Sequence, residues 1–332
     1  MKTLLMNFRN ITLKLLFCLA GLSMSSFAFG QSPSHSIYVA KYKSDKTCAI
    51  SYTFDDGLLE HFTLVFPAFE KLGFHGTFWV NGNTINQGEY GLVNKLPRIS
   101  WKDLKTMAEH GHEISSHGWS HKNLTTCTPE ELNIEIDRND SIIEAKIGER
   151  PVTFCYAGNR KNDDVVRIAS VNRVGTRTAQ FSMGSKSTPE NLNEKIYSLM
   201  NEAGWGVAMI HGITYGYDAF KSDTILWNHL RKVKALEDKI WIGTFRDVAA
   251  YTAEQKDIKL LITKKGKKQL ITPITTLNKK LFKFPLTMVV LQSGIKKISV
   301  KQHNKPLAVQ ILPDKVLFDF NPHGGKIMVQ IH

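Results

Sequence analysis

Seven short apolar runs divide the first 255 residues at the spacing of strands that alternate with helices. Helix-start patterns with capping residues stand between several of these runs, at 100–103, 128–131 and 188–190. This alternation predicts an α/β fold in which helices cover a parallel sheet or barrel. The seven runs occupy 48–54, 75–80, 112–116, 152–156, 172–177, 206–211 and 240–245.

After about residue 256 the pattern changes to short alternating runs that are separated by turn residues. Helix signals fade there, so this part of the chain is expected to form a small all-β module of the sandwich type. We therefore expect a barrel domain over 31–255 and a lysine-rich accessory domain over 256–332. The runs that define the module are 286–291, 295–300, 307–312, 315–320 and 326–331.

The N-terminus has the pattern of an export signal. A positively charged flank precedes an apolar run at 15–22 that is too short to span a bilayer. The small residues Ala28 and Gly30 then fit a cleavage before Gln31. The sequence thus predicts a cleavable signal peptide over 1–30 and a secreted or periplasmic protein, with an uncleaved membrane anchor as the alternative.

Positive charge is concentrated at the C-terminal end of the chain. The net charge is +13, and the last 77 residues hold 15 lysines against three acids. Such a module can attract an anionic polymer or surface, or its lysines can simply cover the outer faces of a small sandwich. No aromatic stripe accompanies the lysines, so a nucleic-acid partner is not expected. The oligomeric state stays open.

Acidic and histidine residues stand at the ends of three of the predicted strands. Asp55 and Asp56 end the first run, and His117 and His121 follow the third. His211 ends the sixth run. Because the carboxyl ends of barrel strands meet at one rim, these side chains are expected to lie together. Two histidines and a carboxylate with one open position are typical of a catalytic zinc site. Each pattern alone is often a helix cap or a coincidence, but their shared register favours a site.

These motifs resemble the polysaccharide deacetylase (NodB-homology) family, carbohydrate esterase family four. The family motif T-F-D-D-G stands unaltered at 53–57. The motif H-S/T-x-x-H is matched at 117–121, with Gly118 where the family usually has Ser or Thr. The motif L-x-H is approximated at 209–211 as Met-Ile-His. The resemblance covers about 45–255.

The resemblance implies a distorted barrel of about seven βα units and a hydrolase that removes N-acetyl groups from a glycan. It implies that Asp56, His117 and His121 bind a divalent metal, with zinc expected and cobalt, nickel or manganese also compatible. It implies that Asp55 is the general base and His211 the general acid. The expected substrate is an acetylated glycan such as chitooligosaccharide, peptidoglycan or poly-N-acetylglucosamine. An O-acetyl esterase and a catalytically silent glycan-binding protein are the alternatives.

The third motif departs from the family pattern. The family has Arg-x-Pro-Tyr or a Tyr-Pro-Gly variant after the fourth strand, and this chain reads Phe-Cys-Tyr-Ala-Gly-Asn-Arg at 154–160. Arg160 or Arg177 is expected to supply the missing positive charge beside the base. The remaining substrate or oxyanion candidates are Tyr156, the backbone N–H near Gly158, and Trp205, whose ring suits stacking on a sugar.

Overall fold

The computed structural model describes residues 36–85, 92–93 and 96–332. The signal peptide predicted over 1–30 lies outside these residues and stays a prediction, as does the export that it implies. Within the described residues, no helix is both long and apolar enough to cross a membrane.

One curled sheet of eight strands forms the centre of the barrel part, and all of its pairings are parallel. Each of the seven predicted apolar runs contributes a strand, so the expectation of a parallel α/β sheet is confirmed. Phe181–Ser182 adds a short edge strand that the sequence pattern did not indicate. In spatial order the strands are Gly175–Arg177, Thr153–Cys155, Glu113–Ser116, Thr77–Val80, Cys48–Asp55, Trp205–Ile210 and Phe181–Ser182, and Ile240–Ile242 pairs with the start of Cys48–Asp55.

Helices follow most of the strands. The predicted capping boxes at Ser100, Thr128 and Thr188 are present, because each side chain accepts a bond from the backbone three residues on. A π-helical segment at His61–Val65 precedes the first α-helix, and another at Ile134–Arg138 joins Pro129–Asn133 to Asn139–Ile147. The other α-helices are Phe66–Leu72, Trp101–Glu109, Asp163–Ala169, Pro189–Asn201, Thr224–Lys234 and Phe245–Asp257.

The strand Cys48–Asp55 is buried at every position because it has partners on both sides and helices over the sheet. Phe54 on this strand stacks on Phe78 of the next strand, with ring centroids 5.0 Å apart. This packing fixes the strand that carries Asp55 at its carboxyl end. Short 3-10 turns lie at Lys43–Asp45, Leu124–Thr126 and Ala157–Asn159, and Leu92–Val93 pairs with Leu96–Pro97.

Two antiparallel sheets form the lysine-rich module, as the change of pattern after residue 256 predicts. The sequence reading missed the hairpin at 259–274 and the contribution of Ser36–Val39, which pairs with Leu286–Leu291. The limits of the two domains stay a prediction. One sheet orders Ser36–Val39, Leu286–Leu291, Lys315–Phe320 and Gln310–Ile311; the other orders Lys259–Lys265, Lys268–Ile274, Ile327–Ile331, Ile298–Gln302 and Lys305–Pro306.

The module and the helix Phe245–Asp257 share an apolar core. Trp241 and Tyr251 from the barrel part belong to the same buried cluster as Met288 and Phe318 from the module. The hydroxyl of Tyr251 donates to the carbonyl of Ala40 at 3.0 Å. The module therefore packs on the amino-terminal end of the parallel sheet, away from the rim that carries the predicted site.

Candidate active site

Asp56, His117 and His121 converge at the carboxyl end of the parallel sheet. The Oδ1 atom of Asp56 lies 3.5 Å from Nε2 of His117 and 3.5 Å from Nε2 of His121. Asp56 has a φ of 74° and Gly57 a φ of 63°, so the chain turns sharply as the strand ends. A left-handed conformation is unfavourable for Asp and is typical of residues held for function. The turn lets Asp55 and Asp56 face different neighbours.

Two of these atoms are buried with no hydrogen-bond partner: Oδ1 of Asp56 and Nε2 of His117. Nδ1 of His117 lies 3.0 Å from the carbonyl of Cys155, so this nitrogen carries the proton and Nε2 presents its lone pair toward Asp56. Burial lowers the pKa of His117, which keeps its ring neutral and able to bind a metal. The residues present therefore fit a divalent metal held by Asp56, His117 and His121.

A second group, Asp55, His117 and Cys155, also brings three potential ligand atoms together. It fits a metal less well. Burial raises the pKa of the Cys155 thiol well above its usual value, so the thiolate ligand is disfavoured. Both oxygens of Asp55 already accept hydrogen bonds from Arg177.

Asp55 is buried and forms a two-pronged ion pair with Arg177. The guanidinium donates to Oδ1 at 2.7 Å and to Oδ2 at 2.5 Å, and it also donates to the hydroxyl of Thr53 at 2.8 Å. Burial by itself would raise the pKa of Asp55, but the charge and hydrogen bonds of Arg177 outweigh it, so the pKa of Asp55 is lowered. Of the two arginines that the sequence left open, Arg177 is the one beside Asp55.

His211 lies beside Asp55 at the same rim. Its Nε2 atom is 3.7 Å from Oδ2 of Asp55. The ring of Tyr217 packs edge-on against His211, with centroids 5.0 Å apart. The rim thus brings together a candidate metal-binding group, a buried carboxylate and a histidine, as the three strand ends predict.

The other predicted residues lie in different surroundings. Tyr156 is buried, and its hydroxyl donates to Thr176 at 2.9 Å. Gly158 is exposed and has a φ of 58° in the turn Ala157–Asn159, and Arg160 lies exposed at the end of that turn.

Trp205 lies apart from the rim. It begins the strand Trp205–Ile210, so five residues separate it from the carboxyl end that leads into His211. Its indole N–H donates to Ser51 at 3.1 Å, and its ring packs on Phe245. The structure therefore brings Asp55, Asp56, His117, His121 and His211 together but does not bring Trp205 to them.

Sequence reasoning missed several residues that hold these loops. Arg98 is buried and donates to the carbonyl of Asp56 at 2.6 Å. Asn81 donates to the carbonyls of His117 and Gly118 at 2.8 and 2.9 Å. A polar side chain beside a motif, on an otherwise apolar strand end, is the only sequence signal that marks them.

Residues 42–179 match the family described as Polysaccharide deacetylase. The matched range includes Asp55, Arg177 and the candidate metal ligands, and it ends before His211. The family resemblance that the motifs indicate is thereby confirmed over these residues.

Curated relatives are similar over part of their length. The chain is 23% identical to a gellan lyase from Bacillus sp over 291 residues, which is 76% of this chain and 11% of that protein. It is 33% identical to a chitin deacetylase from Arthroderma benhamiae over 104 residues, which is 31% of this chain and 25% of that protein. The chain spans less than half the length of these relatives.

A solved structure supports the fold. A crystal structure from Mycobacterium smegmatis, assigned to the polysaccharide deacetylases, superposes with a TM-score of 0.50 at 15% sequence identity. The superposition covers 66% of this chain and 94% of that one. The expectation of a distorted βα barrel is thereby confirmed.

Proposed function

We propose that this protein is a metal-dependent hydrolase that removes N-acetyl groups from a polysaccharide or oligosaccharide. The observation that carries the proposal is the row formed by Asp56, Asp55 and His211, with Asp55 lying 3.7 Å from His211 and paired to Arg177. A deacetylase needs an acceptor for the proton of the attacking water and a donor for the departing amine, and this row supplies both.

The proposed roles follow from the contacts. A divalent metal bound by Asp56, His117 and His121 would acidify water and polarise the acetyl carbonyl. Asp55 accepts the proton of the water as its oxygen bonds to the carbonyl carbon. Arg177 keeps Asp55 ionised and fixes its direction.

His211 gives a proton to the sugar nitrogen as the carbon–nitrogen bond breaks, so the products are acetate and a free amine. The backbone N–H near Gly158 is the candidate for stabilising the oxyanion. Asn159, on the same turn, lies 3.3 Å from the sulfur of Met209, two residues before His211, which keeps this candidate close to the proposed acid.

Acetylated glycans are the proposed substrates, of the chitooligosaccharide, peptidoglycan or poly-N-acetylglucosamine type. The similarity to a chitin deacetylase favours an N-acetyl substrate. The same residues suit an O-acetyl esterase acting on xylan, because an ester differs only in its leaving group. A silent glycan-binding protein is disfavoured, since such a protein has no need of the buried Asp55–Arg177 pair.

The test is acetate release from N-acetylglucosamine oligomers, peptidoglycan and acetylated xylan by the purified protein. We expect release from an N-acetyl substrate with one new amine per acetate. We expect a chelator to abolish it and zinc, cobalt, nickel or manganese to restore it. Release from xylan alone would favour the esterase, and glycan retention without any acetate would favour the binding protein.

The lysine-rich module is proposed to contact an anionic lipid surface. The register of its strands puts exposed apolar and basic side chains on one sheet face, which a hydrated acidic polymer would not require. Its apolar members are Leu261, Leu270, Ile274 and Met328, and its basic members are Lys259, Lys265, Lys268 and Lys301.

Co-sedimentation with vesicles tests this contact. We expect binding to phosphatidylglycerol vesicles and not to phosphatidylcholine vesicles, and loss of binding in Lys268→Glu/Lys301→Glu. The matched control is Lys102→Glu/Lys105→Glu on an exposed helix of the barrel. Binding only to an acidic polysaccharide, or equal loss in the control, would contradict the proposal. Export of the mature protein, with cleavage before Gln31, is proposed with it.

A further inference from the structure

A buried carboxylate, Glu60, holds the loop that follows His211. Its side chain is only 2% exposed, and it accepts hydrogen bonds from the backbone of Ile213, from the backbone of Thr214 at 2.9 Å and from the Thr214 hydroxyl at 2.9 Å. A buried carboxylate is costly unless several donors satisfy it, and here three donors of one short loop do so.

The next residue, His61, contacts the other end of the same loop. Its Nε2–H donates to the carbonyl of His211 at 2.8 Å, and the ring is fully buried between Phe54 and Phe78. Burial lowers the pKa of His61 to about 4, so the ring is a neutral hydrogen-bond donor at neutral pH. Glu60 and His61 therefore fix the backbone that follows the His211 side chain, from the carbonyl of His211 to Thr214.

A second buried carboxylate, Glu135, holds the loop that carries His117 and His121, as Glu60 holds the loop after His211. It is 2% exposed and accepts bonds from the backbone of Ser120 at 2.8 Å and from the Ser120 hydroxyl. This contact also explains Gly118. Its φ is 80°, and a Cβ atom there would lie 3.1 Å from a carboxylate oxygen of Glu135. Gly118 thus leaves room for Glu135, which then holds the loop of His117 and His121.

We propose that Glu60 is the positioning residue for the general acid His211, and that Glu135 positions the metal ligands independently. This inference rests on the proposed deacetylase function. His211 must keep its ring within reach of both Asp55 and the leaving nitrogen, and errors of about 1 Å in such geometry are costly. The hydrogen bonds of Glu60 and Glu135 go to these loops and not to the side chains of Asp55, Asp56 or His211, so each carboxylate acts through the loop that it holds.

The experiment compares Glu60→Gln with the wild-type protein on two substrates. An amide keeps the size of the side chain, but its NH2 group cannot accept the bonds that the loop donates. We expect kcat on an N-acetylglucosamine oligomer to fall about 10- to 100-fold, with KM and bound metal unchanged. On 4-nitrophenyl acetate, whose leaving group needs no proton, we expect the loss to be less than about threefold.

Two further variants keep the test decisive. Thr214→Val removes one hydrogen-bond donor to Glu60 and leaves the carboxylate in place. We expect a smaller fall in kcat, again larger on the N-acetylglucosamine oligomer than on 4-nitrophenyl acetate. Glu113→Gln is the matched control, because Glu113 is equally buried but lies at the amino-terminal start of its strand. It is expected to lower stability without separating the two substrates.

For Glu135→Gln we expect the metal dissociation constant to rise about 10- to 100-fold. Equal losses on both substrates in Glu60→Gln, or unchanged kcat in that variant, would overturn the positioning role. Weaker metal binding in Glu60→Gln would overturn the independence of the two sides. Failure of the proposed function would instead be seen as a wild-type protein that releases no acetate at all.

Discussion

The metal side and the acid–base side of the site are built differently. The metal side takes its three proposed ligands from two short segments, 53–57 and 117–121, and each segment contains a recognisable motif. The acid–base side combines Asp55, Arg177 and His211 with the loop contacts of Glu60, from segments far apart in sequence. The spacing of the proposed ligands is therefore visible in the sequence, whereas an acid–base group built from the ends of three strands is visible only in the fold.

The largest effect is expected on the acid–base side, from Arg177→Met. This change leaves Asp55 buried and without its partner, which costs several kcal/mol and raises the pKa of Asp55. We expect kcat/KM to fall at least about 1000-fold, and the acidic limb of the pH–rate profile to move to higher pH, because the base must be ionised. Arg177→Lys should restore only part of the lost kcat/KM, since one ammonium group cannot make both of the hydrogen bonds that Arg177 donates to Asp55.

Arg160→Met is the comparison variant for that prediction. Arg160 lies exposed at the end of the turn Ala157–Asn159, so a smaller loss is expected. A larger loss for Arg160→Met than for Arg177→Met would mean that the charge beside the base comes from the turn after the fourth strand.

A smaller effect is expected on the metal side, from Gly118→Ser, which restores the usual family residue. The φ of 80° and the nearby Glu135 carboxylate make a side chain at this position unfavourable. We expect metal affinity to fall about 10-fold, measured by titration with a chromogenic chelator. Gly118→Ala should behave in the same way, and Gly118→Ser with unaltered affinity would contradict the account of Glu135.

The smallest effect concerns stability and comes from three buried histidines. Burial lowers the pKa of His61, His112 and His229 to about 4 each. The unfolded chain binds these protons more readily, so the stabilisation is present above about pH 6.5 and is lost as the pH falls toward 4. Urea unfolding with chelator present, from pH 7 to pH 4, should show this decline.

His61→Gln makes the stability test specific to the acid side. With one buried histidine removed, the slope of unfolding free energy against pH should decrease over the same range, by up to about 3 kcal/mol in total. An unchanged slope would show that His61 is not held neutral in the folded protein.

Much of the fold could be predicted from sequence because strand periodicity and capping boxes are local. The strand at 48–54 and the helix start at Thr128 were correctly predicted from adjacent residues alone. Ser36–Val39 was missed because its strand partner lies at 286–291, some 250 residues along the chain. The edge strand Phe181–Ser182 is too short to show a pattern.

The site was likewise predictable where its residues belong to local motifs. The candidate metal ligands are predicted from motifs. The choice between Arg160 and Arg177 depends on how the sheet curls, because three strands separate Gly175–Arg177 from Cys48–Asp55 in the sheet order. Trp205 is predicted as a substrate-stacking residue because of its ring, and it and His211 flank one strand. They lie at its opposite ends, since a strand advances about 3.3 Å per residue. Glu60 and Glu135 have no sequence signature beyond a charge among apolar neighbours.

The most direct test of the account is Asp55→Asn beside Asp56→Asn, with acetate release and bound metal measured on the same samples. We expect Asp55→Asn to keep one metal per chain and to lose at least about 1000-fold in acetate release from an N-acetylglucosamine oligomer. We expect Asp56→Asn to lose the metal together with the activity. An active Asp55→Asn protein, or one that loses its metal as readily as Asp56→Asn, would contradict the division of the site into two sides.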